Sequence, residues 1–331
     1  MTTARILPLL FWSVTAFAAV SAPGDTQWIV DVGGSVTRDA QGHATRVDLR
    51  GTWVSDTDLR HLAELPDLAV LDLSLTHITD QGMQELKGLK GITDLSLYFA
   101  EYVTDEGLSA IKDWKKLRRL NLRGTRIGDT ALEHISGITP LESLNVSSTL
   151  MTDVGLERLT MLPNLRELSM GGNELGDAGL QALRQMPKLT YLDLSGRQGT
   201  DKNVWTIAMS EAGLDAVLTL SQLRELRFGC VSIGVGIEGA KFGEISLLSV
   251  TPKWVERMKA LTKLEKLRLQ GCNRIGDESV PSLLDMPALQ EADLQGTSVT
   301  AQGAAAIRAA RPNAVVYVGP WDAKSANYRN N

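Results

Sequence analysis

The side chains best suited to acid–base or metal chemistry near neutral pH are the four histidines, His43, His61, His77 and His134. No two of them form an H-E-x-x-H or H-x-x-x-H pair, so no helix face would present two imidazoles to one metal. The two cysteines, Cys230 and Cys272, are 42 residues apart and lack the short spacing of a zinc site. Neither a G-x-S-x-G nucleophile elbow nor a G-x-x-x-x-G-K phosphate loop occurs. The run GVGIEG (234–239) lacks the strand before it, the helix after it and the later acid that a dinucleotide site needs. A regular column of carboxylates remains: Asp56, Asp80, Asp105, Asp129, Asp153, Asp177 and Asp277. Hard cations such as calcium take several oxygen ligands, whereas Asp at a helix start accepts backbone N–H groups and complements the helix dipole. The second role is expected, because each Asp has its own helix to cap. No metal, cofactor or enzymatic activity is implied.

The elements that would carry these residues follow from a repeated phrase, L-x-x-L-x-L, then Thr or Asn, then [I/V/L]-[T/G]-D-x-G-[L/M]. It opens at Leu68, Ile92, Leu117, Leu141, Leu165 and Leu189, in steps of 24 or 25 residues, and resumes at Leu264 and Leu289. A leucine pattern at this period marks a leucine-rich-repeat solenoid. Within one repeat, Leu68, Leu71 and Leu73 suit a short strand, and Met83, Leu86 and Leu89 follow at helical spacing. Parallel strands stack about 4.8 Å apart and helices are about 10 Å wide. The stack must therefore bend into a right-handed horseshoe, an α/β fold with strands on the concave face and helices on the convex face.

The 331 residues are 43% hydrophobic, 22% charged and 5% aromatic, with a net charge of −5, which argues against nucleic acid as a partner. At the N terminus, Arg5 precedes an apolar run from Ile6 to about Val20, and small residues follow. This is the layout of a signal peptide over residues 1–22, with cleavage after Ala18 or Ala22. The run is shorter than a bilayer span, so no membrane span is expected in the mature chain. Residues 23–45 read as a hairpin cap turning at Asp39 to Gly42, residues 46–318 as the repeat domain, and 319–331 as a flexible tail.

The segment LAVLDLSLTHITDQGMQELKGLK (68–90) resembles the ribonuclease-inhibitor-like leucine-rich repeats of exported bacterial proteins. VGGSVTRDAQGHATRVDLRGTWVSDTDL (32–59) is similar to the N-terminal cap those proteins carry. The resemblance extends from residue 29 to about residue 318 and implies a binding scaffold rather than one activity.

Two adjacent repeats are long: Leu189 to Leu223 spans 34 residues and Leu223 to Leu264 spans 41. Helical spacing resumes at Leu214 and Val255, which places the extra residues near Ser195 to Trp205 and Gly229 to Ser246. Insertions in repeat proteins gather on one face, often the binding face. Trp205, Lys241 and Phe242 are candidate anchors there, since such side chains bury much area. The concave column runs Asp48, Asp72, Ser96, Asn121, Asn145, Ser169, Asp193, Arg227, Arg268 and Asp293, flanked by Arg119, Arg123, Tyr191 and Lys266. Tyr98, Phe99 and Tyr102 cluster in the one early repeat with an extra residue. Arg227, Arg268, Tyr98, Phe99, Tyr102, Arg119, Arg123 and Tyr191 thereby join the anchors. Cys272 stands in the slot filled elsewhere by Thr76, Thr125, Thr149, Asn173 or Thr297, where a small buried residue is expected. Cys230 lies near the same corner, and the two would pair in an oxidising compartment. The expected function is an exported, periplasmic or secreted scaffold that recognises a protein or a glycan. The alternatives are a structural envelope protein and a hydrolase built on the insertions.

Overall fold

The structure is a computed structural model that describes residues 25–196, 198–199, 204–230 and 249–320. The leucine phrase folds into strands of three to five residues. They are β1 Ser35–Arg38, β2 Ala44–Asp48, β3 Val70–Asp72, β4 Asp94–Ser96, β5 Arg119–Asn121, β6 Ser143–Asn145 and β7 Glu167–Ser169. After β8 Tyr191–Asp193 come the short β9 Gln198–Gly199 and β10 Val204–Trp205, then β11 Glu225–Gly229, β12 Lys266–Gln270, β13 Glu291–Asp293 and β14 Val315–Tyr317. Among the described residues β1–β8 and β11–β14 form one 12-stranded open sheet in chain order, with β9 and β10 as a separate ribbon. The helices α1 Gln27–Asp31, α2 Asp80–Glu85, α3 Asp105–Leu108, α4 Asp129–Ile135, α5 Asp153–Leu159, α6 Asp177–Leu180, α7 Glu211–Val217, α8 Pro252–Arg257, α9 Val280–Leu284 and α10 Ala301–Ala310 complete the repeats. Many continue into a 3₁₀ turn.

Register explains the core. Leu71, Leu95, Leu120, Leu144, Leu168, Leu192, Leu226 and Leu267 occupy one row of paired strand positions, continued by Ala292 and Val316. All are buried with the helix leucines in one continuous apolar cluster. The chain is thus a leucine-rich-repeat solenoid with parallel strands on its concave face and helices behind them. At the N-terminal end β1 pairs antiparallel with β2, and β2 then pairs parallel with β3, so the hairpin shares a strand with the first repeat.

The aspartate column requires a correction. The helix N-caps are the preceding residues Thr79, Thr104, Thr152 and Ser210, whose side chains accept a backbone N–H two residues on. Each Asp instead reaches the next repeat. Thr79 donates its N–H and hydroxyl to the two carboxylate oxygens of Asp56, at 2.8 and 2.6 Å. The same double bond joins Thr104 to Asp80, Thr152 to Asp129 and Thr300 to Asp277. The glycine of D-x-G leaves room for it: a methyl group at Gly107 would lie 2.5 Å from Asp80 Oδ1. The motif is therefore a latch between repeats.

The slot with Thr52, Thr76, Thr125, Thr149 and Thr297 is also structural, since each hydroxyl donates to a carbonyl three residues back. At Cys272 this latch is replaced by a disulfide to Cys230, with Cα atoms 4.6 Å apart. It joins the ends of two neighbouring strands, because the Cys230 N–H donates to the Gln270 carbonyl.

Candidate functional site

Most of the concave column is committed to the fold. Asp48, Asp72, Asn121, Asn145, Asp193 and Asp293 each accept the backbone N–H of the residue two positions on, at 2.8 to 3.2 Å. These Asx turns close their strands, and β3, β5, β6, β8 and β13 are three residues long. Arg227 and Arg268 cannot accept such a bond, and β11 and β12 run on to five residues.

Both arginines belong to a dense charged cluster. Arg227 donates to Glu225 at 2.7 Å and covers the Tyr191 ring at 5.0 Å. Arg268 bridges Glu225 at 3.1 Å, Glu291 at 2.9 Å and Asp293 at 3.6 Å, and Gln270 donates to Asp293 at 2.8 Å. Burial raises the Glu225 carboxyl, but Arg227 and Arg268 outweigh it and hold it below the ordinary carboxylate value. Burial, reinforced by the nearby Asp193 carboxylate, holds the Tyr191 phenol far above its ordinary value, so it stays protonated. Arg119 lies apart, near Asp94 at 3.5 Å and Glu167 at 3.6 Å.

The exposed aromatic surface lies elsewhere, on the rim where strands turn into helices. One residue per repeat precedes a buried anchor (Val54, Ile78, Val103, Ile127, Met151, Leu175), and these positions read Trp53, His77, Tyr102, Arg126, Leu150, Glu174. Trp53 is 83% exposed and stacks on His77, with centroids 5.0 Å apart and planes 3° from parallel. Tyr102, 51% exposed, continues the row 5.8 Å beyond His77.

A second row runs beside it, at the turn residue in the left-handed region. Glycine holds this position at Gly51, Gly124, Gly172, Gly196, Gly271 and Gly296, but Leu75 (φ 58°), Phe99 (φ 52°) and Ser148 (φ 54°) hold it in three other repeats. A side chain there costs of order 1–2 kcal/mol, and Leu75 is nonetheless 49% exposed. Phe99 meets Tyr98 edge-on at 4.7 Å. Its ring lies over Gly124, where a methyl group would come within 2.8 Å. Arg123 holds this corner, its carbonyl accepting the Phe99 N–H at 2.7 Å and its guanidinium lying 5.9 Å from the Tyr98 ring centroid.

The structure thus brings Tyr98, Phe99 and Arg123 together, sets Tyr102 beside His77 in the rim row, and gathers Tyr191, Arg227 and Arg268 in a separate cluster. Trp205 lies on β10, paired with Gln198, whereas Lys241 and Phe242 lie outside the described residues. Sequence reading missed Trp53, Leu75 and His77. Their signal is positional: aligning the residue before each [I/V/L]-[T/G]-D places Trp53, His77 and Tyr102 in one row.

An open repeat solenoid with an aromatic rim is the class of molecule these features define. Models of the leucine rich repeat match residues 139–198, and again 65–87, 115–136 and 260–284. Among solved structures the chain is similar to an internalin C2 from Listeria monocytogenes, at 24% identity and a TM-score of 0.44, covering 57% of this chain and 74% of that one. It is also similar to an internalin (inlF) from the same species, at 17% identity and a TM-score of 0.39, covering 84% and 87% respectively. No curated protein matches the chain.

Proposed function

We propose that this chain is a non-enzymatic recognition module that binds a protein partner through its strand-end rim. The observation that carries the reading is the row Trp53–His77–Tyr102: a scaffold that buries most of its leucines leaves three neighbouring rings in solvent. Contiguous exposed apolar surface marks interaction sites, and aromatic side chains dominate interface energetics. The coplanar Trp53 and His77 rings cover one another's faces. Tyr102 is tilted 34° beside them. Trp53 stays 83% exposed, so the row offers broad aromatic surface to the side chains of a protein partner.

In the sequence the extra residues of the two long repeats follow β8 and β11, most of them outside the described residues, and the proposal extends to them with Trp205, Lys241 and Phe242 as further anchors. The proposal includes the domain division: a signal peptide over 1–22, a hairpin cap over 23–45, the repeats over 46–318 and a C-terminal tail over 319–331. An exported compartment of the ribonuclease-inhibitor-like bacterial kind is supported by the signal-like N terminus and by the Cys230–Cys272 disulfide, since such bonds persist in oxidising surroundings. Among the described residues no helix is long and apolar enough to cross a membrane.

The test is capture from the exported fraction with the parent chain and with Trp53→Ser/Tyr102→Ser. Both side chains are exposed, so the variant should melt within about 1 kcal/mol of the parent in stability while losing its partner. N-terminal sequencing of the recovered chain should begin near Ala19 or Pro23. Undiminished capture by a well-folded variant would move the site off the rim, and an intact Met1 on cytoplasmic protein would remove the export reading.

A further inference from the structure

Arg123 stands apart among the arginines that face the concave side: Arg46, in the strand row of Arg119, also has no ion pair among the described residues but is exposed to solvent, and the rest are paired. Arg50 pairs with Asp72, Arg119 with Asp94 and Glu167, Arg227 with Glu225 and Asp193, and Arg268 with Glu225, Glu291 and Asp293. Among the described residues Arg123 has no carboxylate within 4.0 Å, and its Nε is buried without a hydrogen-bond acceptor. A buried donor left unsatisfied is costly, and a guanidinium is shaped to take a carboxylate through two parallel N–H bonds. Arg126, exposed in the rim row next to Tyr102, also lacks an ion pair among the described residues. Glu101, on the same turn, is exposed and makes no ion pair within 4.0 Å. The uncompensated charge at this corner is therefore positive, although the chain as a whole is at −5.

We infer that the rim takes an acidic peptide segment of its partner, with a carboxylate seated on Arg123 and a neighbouring apolar side chain against Phe99 and Tyr102. This rests on the rim being the recognition surface. One feature favours a peptide over an anionic lipid surface: Arg123 is recessed, with its Nε out of solvent and its guanidinium 5.9 Å from the Tyr98 ring centroid, and a projecting side chain approaches such a group more readily than a flat bilayer does.

The test uses a phage-displayed random-peptide library panned on the full folded chain, then synthetic versions of the selected peptides. Selected peptides should carry Asp or Glu next to an aromatic or aliphatic residue and should fail on Trp53→Ser/Tyr102→Ser. Changing that acid to its amide should weaken binding roughly tenfold or more on the parent and hardly at all on Arg123→Gln, as a coupled pair requires. If Arg123→Gln does not fold, the same acid-to-amide series on Arg123→Lys, where the fork is lost and the charge kept, should show a reduced penalty. Rim-dependent peptides with no acidic preference, or an acid whose loss costs the same with and without Arg123, would overturn the inference while leaving the recognition surface standing. Phosphatidylglycerol vesicles that bind the parent through Trp53 and Tyr102, with no peptide selected, would also overturn it. Peptides indifferent to Trp53 and Tyr102 would remove the recognition surface itself.

Discussion

One methyl group placed at Gly107 probes how the repeats are held together. It would press on Asp80 Oδ1, the oxygen that accepts the Thr104 N–H. Gly107→Ala should therefore destabilise by about 2 kcal/mol in urea unfolding, and Asp80→Ala combined with it should cost less than the two single changes added. The latches also set an acid limit. The Thr300 hydroxyl and N–H hold the Asp277 carboxyl below its ordinary value of 3.8. Burial raises Asp177, but Ser210 and Gly213 outweigh it and hold that carboxyl low as well. A carboxyl depressed in the folded state contributes stability above its unfolded value and loses it as pH falls through the folded one. The urea midpoint should accordingly be flat above about pH 5 and fall steeply below 3.8, and Thr300→Val should soften that fall. The aspartate period was legible in the sequence, and so was its structural character. Its direction was not, because contact with the next repeat depends on stacking that one repeat's sequence does not express.

The same limit appears among the strands. Their positions and facing follow from leucines spaced two apart, and the buried row from Leu71 to Leu267 lies where that period puts it. The outward column was equally visible, but its role was not. Asp and Asn there fold back on their own turn instead of facing a partner, a choice made by backbone geometry at the strand end. Arg227 and Arg268 are the informative exceptions: they make no Asx turn, they stand on five-residue strands, and their charges find carboxylates across strands. Arg268→Met should leave Glu225, Glu291 and Asp293 short of a counter-charge and destabilise by about 3 kcal/mol, read from urea unfolding at neutral pH. Asn145→Ala, which removes one Asx turn, should cost only about 1 kcal/mol. Equal costs would mean that the charged cluster contributes no more to holding the long-strand repeats than an ordinary turn.

For the whole molecule, a repeat array makes most residues interchangeable from one turn to the next, so function shows as departure from the average repeat. Tyr98, Phe99 and Tyr102 were readable as such a departure because they accompany an extra residue. Trp53 and His77 were not, since each looks ordinary within its own repeat and the stack exists only once 24-residue neighbours are aligned. The central claim is that this rim, not the helical back, meets the partner. Site-specific photocrosslinking tests it most directly, with benzoylphenylalanine at position 53 or 102 and, as a control, at the exposed Glu133 on α4. Irradiation in the exported fraction should give one shared adduct from positions 53 and 102 and none from 133. An adduct from 133 with none from the rim would contradict the account.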